Sequence, residues 1–420
     1  MRRIRPLPQA KHIEVSVPGS KSYTHRMLVA AALSDGRCSF ANALDSEDTR
    51  LTLDALRRWG AAVGPDGSTL TVFGTGGRML ASPDPIFLGN SGTSMRLLTA
   101  VAALVQGRTL LTGTERLQAR PMQDLLDGLG RLGVGARSLG TGGGAPIEID
   151  GGHVPGGKAE LDCALSSQFL TALLLIGPYT EKGIEIQVTR GPVSRPYIDI
   201  TLDTMRRFGV AVERRGYEWF QVPGQSGYRA GDHVIEADCS QAGYFWAAAA
   251  VTGSTVKVRR TAPGSCQGDA RLAEVLQRMG CSVAVHPDGV AVTGGTLTGI
   301  EVDMADMPDA VPTLAVVAAY ARGRTAIRGV GHLKEKESDR LAAVCGGLHR
   351  MGIDAAHDTE TLWIRGGTPR GGAIECRNDH RIAMSFAVAG LATPGIEILD
   401  EKCVAKSFPT FWDVFETVYR

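Results

Sequence analysis

The sequence has no excess of charge of either sign. Its 420 residues include 45 Lys and Arg against 44 Asp and Glu, a formal net charge of +1 at pH 7. A chain this balanced has no overall field with which to hold a nucleic acid or an anionic membrane. We therefore expect neither partner, and we expect anionic ligands to be bound by local clusters of cations.

The sequence also lacks paired cysteines and long apolar runs. Its eight cysteines are scattered and include no C-x-x-C pair, which favours free thiols over a zinc site or a disulfide framework. No apolar run approaches the roughly 18 residues of a membrane span, and Met1–Pro6 leads into no apolar signal core. These absences predict a cytoplasmic protein. Its length predicts two or three domains.

The sequence does contain an internal repeat, with one unit that occurs six times. A polar turn leads into an Ala-rich helix, and a second, amphipathic helix ends in glycine before a β-branched stretch. The predicted starts of the first helices are Ser20, Ser91, Ser166, Ser240, Pro308 and Asp379. The second helices are predicted to end at Gly60, Gly133, Gly209, Gly280 and Gly352, where a C-cap needs a left-handed residue. Both series recur about every 70 residues, which predicts an α/β protein of two lobes with three copies each.

Polar and basic residues cluster near these helix starts in the first half of the chain. The free N–H groups and the dipole of a helix start favour anions. The candidates are Lys21, Ser22, Arg26, Gly92, Arg120, Ser166, Ser167, Gln168, Ser194 and Tyr197. Arg120 precedes Pro121, and a proline can occupy the first position of a helix. Taken singly, each feature is also typical of an ordinary helix cap or turn.

The second half supplies candidates for acid–base chemistry. Asp309 stands at a predicted helix start in an apolar stretch, and Glu337 is next to Lys336. Lys336 and Arg340 are four residues apart, so on a helix they would share one edge. Further polar candidates are His380, Arg381 and Lys406.

Together these candidates are rich in cations. They include Lys21, Arg26, Arg120, Lys336, Arg340, Arg381 and Lys406, against two carboxylates placed for proton transfer, Asp309 and Glu337. This ratio suits two small substrates that carry phosphate and carboxylate groups. We expect the helix starts of the two lobes to converge on one cleft.

The motifs P-G-S-K-S, G-N-S-G-T-S-M-R, A-R-P-M, S-S-Q, S-R-P-Y, D-M-P-D-A, K-E-S-D-R, N-D-H-R-I-A-M and A-K-S-F-P occur in this order from about Gly19 to Pro409. In this, the chain resembles the 5-enolpyruvylshikimate-3-phosphate (EPSP) synthase family. The resemblance implies a two-lobed inside-out α/β barrel of six βαβαββ repeats, three per lobe. Residues 1–19 and 236–420 would form the lobe for phosphoenolpyruvate and acid–base chemistry, and residues 20–235 the shikimate 3-phosphate lobe, with the active site in the cleft between them.

The reaction implied is transfer of the enolpyruvyl group of phosphoenolpyruvate to the 5-hydroxyl of shikimate 3-phosphate, by addition and elimination. No metal and no other cofactor is implied, and we expect a monomer. The implied shikimate 3-phosphate ligands are Lys21, Ser22, Arg26, Ser166, Ser167, Gln168, Ser194, Tyr197, Asp309, His332 and Lys336. The implied phosphoenolpyruvate ligands are Lys21, Gly92, Arg120, Gln168, Arg340, His380, Arg381 and Lys406. The implied catalytic residues are Asp309 as base towards the 5-hydroxyl, Glu337 as acid towards the methylene carbon, and Lys21 sharing in proton transfer.

Some positions depart from the commonest family pattern. His332 replaces a frequent Asn, Leu97 a frequent Pro, and Ser91 and Ser94 stand where Ala is common. The nearest alternative is a UDP-N-acetylglucosamine enolpyruvyl transferase, but its reactive Cys is replaced here by Glu115. A second alternative is a non-catalytic anion-binding relative, against which Asp309 and Glu337 both argue.

Overall fold

A computed structural model of the protein describes residues 1–66, 69–261 and 264–420. The chain divides into two units, one formed by Met1–Pro18 with Glu236–Arg420 and the other by Gly19–Ile235. The described residues include no helix that is long and apolar enough to cross a membrane. Two strands open the chain and belong to the discontinuous unit: β1 (Arg2–Arg3) and β2 (His12–Ser16).

The unit Gly19–Ile235 is mixed α/β. Its helices are α1 (Lys21–Leu33), α2 (Glu47–Arg58), α3 (Gly92–Ala102), α4 (Glu115–Gln118), α5 (Gln123–Arg131), α6 (Gln168–Ile176) and α7 (Pro196–Arg207). Its strands are β3 (Asp35–Ala41), β4 (Ala62–Asp66), β5 (Thr69–Thr75), β6 (Met79–Leu80), β7 (Ile86–Phe87), β8 (Val105–Thr112), β9 (Gly135–Ser138), β10 (Ile147–Gly151), β11 (Gly157–Asp162), β12 (Ile184–Arg190), β13 (Glu213–Arg215), β14 (Trp219–Val222) and β15 (Asp232–Val234). The sheet orders are β15-β3-β5-β4, β6-β8-β10-β9 with β7 paired to β8, and β11-β12-β14-β13.

The unit Met1–Pro18 with Glu236–Arg420 has the same kind of organisation. Its helices are α8 (Cys239–Thr252), α9 (Leu272–Arg278), α10 (Val311–Ala318), α11 (Arg340–Arg350), α12 (His380–Ala392) and α13 (Phe411–Glu416). Its further strands are β16 (Thr255–Arg259), β17 (Ser282–His286), β18 (Gly289–Thr293), β19 (Glu301–Asp303), β20 (Arg324–Arg328), β21 (Asp354–His357), β22 (Thr361–Arg365), β23 (Gly372–Ile374) and β24 (Ile396–Ile398). The sheet orders are β17-β18-β16-β2, β19-β20-β22-β21 and β1-β24-β23.

In each unit three helices form the centre of the core. Helices α1, α3 and α6 contact one another in one unit, and α8, α10 and α12 do so in the other. Almost every residue of these six helices is buried. A helix that is apolar on all sides is stable only when it is surrounded by protein, so the sheets lie against a helical interior.

The repeating glycines end the second helices as the sequence predicts. Gly60, Gly133, Gly209, Gly280 and Gly352 all have positive φ, between 74° and 116°. Each follows a buried residue at the C-cap of a second helix: Trp59, Leu132, Phe208, Met279 and Met351 respectively. Glycine adopts this left-handed conformation without the penalty that a Cβ incurs.

The N-terminal strands complete sheets of the discontinuous unit. Strand β2 runs parallel to β16, with Val15 opposite Val258, and β1 is antiparallel to β24. Between them, Ile4 is buried against Gly390 of α12, where a Cβ would lie 2.4 Å from an Ile4 side-chain atom. The first eighteen residues therefore belong to this unit, and Ile4, Val15 and Val17 lie in its core.

Candidate active site

A buried ion pair lies at the start of α1. Ser20 caps the helix by accepting from the Tyr23 N–H, so Lys21 is its first residue. The Lys21 Nζ lies 3.3 Å from Oδ2 of Asp48, and the side chains are 10% and 2% exposed. Asp48 is in the first turn of α2, where a carboxylate also complements the helix dipole. Lys21 is thus held in place by a neighbouring helix.

Arg26, one turn further along α1, is buried among uncharged acceptors. Its guanidinium donates to the hydroxyls of Thr201 (2.8 Å) and Thr171 (3.4 Å), and to the carbonyls of Ser22 (2.9 Å) and Tyr197 (3.1 Å). Burial lowers the pKa of Arg26 to about 10, which still leaves it charged at neutral pH. A buried cation surrounded by neutral groups gains most from an anionic ligand.

Two guanidiniums flank the start of α3. A Cβ placed on Gly92 would lie 2.3 Å from Nη1 of Arg120 and 2.5 Å from Nη1 of Arg96. Arg96 donates to the carbonyls of Gly92 (3.3 Å) and Pro121 (3.2 Å), and both arginines are at most 5% exposed. The helix N–H groups and two cations therefore meet where only glycine fits, which makes a nest for an anion.

Of the two possibilities for Pro121, a helix start or a turn, the structure has the turn. Helix α5 begins at Gln123 after Met122, whose φ of −132° and ψ of −13° are not helical. Arg120 and Pro121 lie instead in the turn between α4 and α5. The turn presents the Pro121 carbonyl to Arg96.

The third repeat adds uncharged donors. Gln168 is the first residue of α6, and its Nε2 donates to Oγ1 of Thr93 in α3 at 2.9 Å, which links the starts of these two helices. Ser166 and Ser167 precede Gln168, and the Ser166 hydroxyl accepts from the Gln168 N–H. Ser194 has a φ of 56° and is 4% exposed, just before α7, where Tyr197 is the second residue.

The other unit contains a cluster of carboxylates and arginines. Asp309 Oδ1 lies 2.7 Å from Nη1 of Arg340, and its Oδ2 lies 2.7 Å from Nη2 of Arg381. The Asp309 side chain is 18% exposed and both arginines 2%. Arg381 also donates to the Tyr244 hydroxyl at 3.1 Å. Both carboxylate oxygens of Asp309 are therefore oriented by guanidinium groups.

Arg340 contacts three carboxylates at once. Besides Asp309, its Nη2 lies 2.8 Å from Glu337 and its Nε 2.9 Å from Asp379. Burial opposes the charge of Arg340, but Asp379, Glu337 and Asp309 outweigh it and raise the pKa of the guanidinium. Ser338 also donates to Asp379 at 3.0 Å. Glu337 is therefore placed beside Asp309 through a shared cation.

Lys336 and Arg340 do not lie on one helical edge, and that prediction is wrong. Asp339 caps α11 by accepting from the Ala342 N–H at 3.1 Å, so the helix begins at Arg340. Lys336 ends the preceding 3₁₀ turn, Gly331–Glu335, with an extended backbone. The segment of Lys336 and Glu337 is therefore a loop that leads into the helix.

His332 lies in that 3₁₀ turn and is uncharged at neutral pH. Burial, helped by the charges of Lys336 and Arg340 and opposed by Asp309, lowers the pKa of His332 to about 3. At neutral pH the imidazole can offer one donor and one acceptor. It therefore adds no cation to the cluster, but it can form a hydrogen bond as an amide side chain would.

The last candidates lie around α12 and the 3₁₀ turn Glu401–Lys406. Asp379 caps α12 by accepting from the Arg381 N–H at 2.9 Å. His380 and Arg381 are the first two residues of the helix and are fully or almost fully buried. Lys406 ends the 3₁₀ turn and is 5% exposed.

A buried carboxylate that the motifs do not identify lies beside this cluster. Asp269 is 4% exposed and accepts a short hydrogen bond from Ser240. Burial and the negative charge of Asp309 raise the pKa of Asp269 to about 7, although Ser240 and Arg381 lower it. The site thus contains one acidic group that gains its proton near neutral pH.

This shift predicts a pH-dependent stability. Because the folded state binds the Asp269 proton more tightly, this stabilisation is complete below the ordinary pKa of 3.8 and is lost as the pH rises to about 7. Asp269→Asn should therefore remove part of the fall in the free energy of unfolding between pH 4 and 7, measured by urea denaturation. Replacing the exposed Asp413 with Asn is the control. If the free energy of unfolding fell equally with pH in wild type and in Asp269→Asn, the raised pKa of Asp269 would be contradicted.

Four charged residues of these clusters were not among the sequence-based candidates. Asp48 could have been suspected from S-E-D-T, which predicts a capping box and a helix start. Arg96 and Asp379 stand inside the quoted motifs G-N-S-G-T-S-M-R and N-D-H-R. Asp269, in Q-G-D-A-R, carries no local signal, because its importance comes from burial beside Asp309.

The architecture is shared with solved enolpyruvyl transferases. The enolpyruvyl transferase NikO of Streptomyces tendae superposes with a TM-score of 0.74 at 22% identity, over 98% of this chain and 95% of that one, which shows the fold. EPSP synthase of Acinetobacter baumannii superposes with a TM-score of 0.83 at 31% identity, over 99% of this chain and 97% of that one.

The sequence comparisons define the family within that class. The EPSP synthase (3-phosphoshikimate 1-carboxyvinyltransferase) family model matches residues 8–415. The 3-phosphoshikimate 1-carboxyvinyltransferase of Methanoregula boonei is 42% identical over 98% of this chain and 99% of its own length. The same enzyme of Methanoculleus marisnigri is 44% identical over 94% of each chain. The chain therefore belongs to the EPSP synthase family and is an enolpyruvyl transferase of the shikimate pathway, which confirms the sequence-based prediction.

Proposed function

We propose that Asp309, held between Arg340 and Arg381, is the base of the enolpyruvyl transfer from phosphoenolpyruvate to shikimate 3-phosphate. The observation that carries this proposal is the pair of 2.7 Å contacts that fix both carboxylate oxygens. They orient the carboxylate, and a carboxylate held in a fixed position can act as general base towards the substrate's 5-hydroxyl. Glu337, fixed by Arg340 at 2.8 Å, is the acid.

The chemistry proceeds in two stages. In the addition, Asp309 takes the 5-hydroxyl proton, the oxygen bonds to C2 of phosphoenolpyruvate, and Glu337 gives a proton to the methylene carbon. In the elimination, the Glu337 carboxylate takes back a proton from the new methyl group, the C2=C3 double bond re-forms and the bond between C2 and the phosphate oxygen breaks. The proton on Asp309 passes to the departing phosphate, and EPSP and phosphate are released. Lys21 shares in the proton transfers, and the surrounding cations stabilise the charge of the intermediate and of the departing phosphate.

The ligand residues divide between the two substrates. Shikimate 3-phosphate is held by Lys21, Ser22, Arg26, Ser166, Ser167, Gln168, Ser194, Tyr197, Asp309, His332 and Lys336. Phosphoenolpyruvate is held by Lys21, Gly92, Arg120, Gln168, Arg340, His380, Arg381 and Lys406. The buried charge of Arg26 among neutral acceptors and the nest of Gly92 with Arg120 support anion binding at these places.

We propose that the two lobes have different roles. Residues 20–235 act as the shikimate 3-phosphate lobe, and residues 1–19 with 236–420 as the lobe for phosphoenolpyruvate and acid–base chemistry, with catalysis in the cleft between them. The inside-out barrel has six βαβαββ copies, and each lobe contains three of them. The triplet of buried helices in each unit supports this arrangement. We further propose a cytoplasmic monomer that binds neither nucleic acid nor membrane.

The direct test is phosphate release from purified protein mixed with both substrates. We expect stoichiometric phosphate and EPSP when shikimate 3-phosphate and phosphoenolpyruvate are present together, and no phosphate when either is omitted. Replacing shikimate 3-phosphate with UDP-N-acetylglucosamine should yield none. Phosphate release only with the sugar nucleotide would assign the protein to the alternative acceptor, and binding without turnover would identify a non-catalytic relative.

A further inference from the structure

Helices α1 and α2 are joined by two buried contacts in successive turns. Lys21 and His25 are four residues apart on α1, and Asp48 and Thr52 are four apart on α2, so each pair shares one helix face. Lys21 pairs with Asp48 at 3.3 Å, and Nδ1 of His25 lies 2.8 Å from Oγ1 of Thr52. All four residues are at most 8% exposed.

The second contact continues to α3. The Thr52 hydroxyl lies 2.8 Å from that of Ser94, and Ser94 lies 2.7 Å from the hydroxyl of Ser91, the N-cap of α3. The Ser94 hydroxyl also donates to the backbone carbonyl of Asp48 at 3.2 Å. Ser94 therefore connects the residue that pairs with Lys21 to the helix start where Gly92 and Arg120 meet.

These contacts are compatible with the following arrangement of protons. A serine or threonine hydroxyl has one proton. With the Ser94 proton on the Asp48 carbonyl, Thr52 donates to Ser94 and accepts from His25. In this arrangement His25 carries a proton on Nδ1, and the series runs from His25 through Thr52 and Ser94 to Asp48.

We propose that His25 is a positioning residue for enolpyruvyl transfer, acting through Thr52 and Ser94 on Asp48 and so on the Lys21 ammonium. The proposal rests on the function proposed above for Lys21. The Asp48 carboxylate fixes Lys21, and the Ser94 hydroxyl fixes the backbone of Asp48, so losing the series lets the ammonium move. Small displacements of reacting groups are costly to catalysis.

The first test removes one hydroxyl from the centre of the series. Thr52→Val keeps the shape of the side chain, and kcat/KM for phosphoenolpyruvate should fall roughly tenfold to a hundredfold. Thr99→Val is the matched control, since Thr99 is equally buried but its hydroxyl donates only within α3, to Met95. Thr99→Val should stay within about twofold of wild type. Wild-type kinetics for Thr52→Val would overturn the proposal.

A double-mutant cycle separates positioning from general stability. If the series acts through Lys21, adding Thr52→Val to Lys21→Met should change kcat/KM by less than about twofold. If Thr52 only stabilises the fold, the full loss should appear again in the Lys21→Met background, and the proposal fails. Full activity of Lys21→Met would refute the proposed role of Lys21 and this inference with it, whereas absence of phosphate release by wild type would refute the function itself.

The proton on Nδ1 is tested at His25. An Asn amide can place an N–H where Nδ1 stands, so His25→Asn should keep most of the activity, whereas His25→Leu should lose as much as Thr52→Val. Thermal melting of both variants identifies any that do not fold. If His25→Asn and His25→Leu are folded and equally active, the assigned donor role is wrong.

Discussion

Replacing Asp309 with alanine is expected to abolish turnover while shikimate 3-phosphate still binds measurably. The substitution removes the proposed proton acceptor, so the rate of phosphate release should fall by roughly a factor of 1,000 or more. Binding should persist, because Asp309 is one of eleven proposed ligands and Arg26 and its neighbours are unchanged. Phosphate release and titration calorimetry measure the two effects separately.

Asp309→Asn distinguishes a chemical role of this residue from a structural one. The amide keeps the shape and one acceptor for the arginines, but it cannot take a proton, so turnover should be lost as it is in Asp309→Ala. Asp306→Ala is the matched control from the same D-M-P-D segment, since Asp306 lies 3.5 Å from Arg271 in a partly exposed pair. Turnover of Asp309→Asn close to wild type would refute the role of base.

Arg340→Met is expected to cost both stability and activity. The guanidinium is 2% exposed and contacts Asp309, Glu337 and Asp379, so its removal leaves three carboxylates together in a buried site. Breaking buried ion pairs in this way costs about 3–5 kcal/mol. Urea denaturation should show a loss of that size, and phosphate release should fall below detection.

The control for this variant lies at the other end of the same helix. Arg350 is the last residue of α11, about half exposed, and pairs with Glu375 on the surface. Arg350→Met should change the free energy of unfolding by less than about 1 kcal/mol. Arg340→Lys should remain impaired, since one ammonium cannot reproduce three directed contacts. If Arg340→Met were no less stable than Arg350→Met, the three-carboxylate arrangement would be wrong.

Local sequence signals predicted where many helices begin and end, because these positions depend on interactions between neighbouring residues. Glycine after a helix predicts a positive φ at Gly60 or Gly352, since no other residue adopts it so readily. Ser20, Ser91 and Asp379 predicted helix starts because each side chain accepts from a backbone N–H of the following turn. These requirements involve only neighbouring residues.

The candidate site depends on contacts that sequence spacing does not contain. Lys21 and Asp48 are 27 residues apart, and only the packing of α1 against α2 brings them together. Their spacing suggested that Lys336 and Arg340 share one edge of a helix. Asp339 caps the helix, however, so the helix begins at Arg340 and Lys336 lies before it. The neutral state of His332 likewise results from burial and neighbouring charges.

The sheet that contains β2 and β16 can form only late in synthesis, because its two neighbouring strands are far apart in the sequence. Lys11, just before β2, donates to Ser254, just before β16, across 243 residues of chain. At about 5–20 residues per second, the first strand waits roughly 10–50 s on the ribosome before its neighbour is made, and Gly19–Ile235 is synthesised during that interval. During that interval the β2 edge of the nascent chain must stay soluble without its partner. The alternation of polar His12, Glu14 and Ser16 with apolar Ile13 and Val15 limits its tendency to associate with other strands.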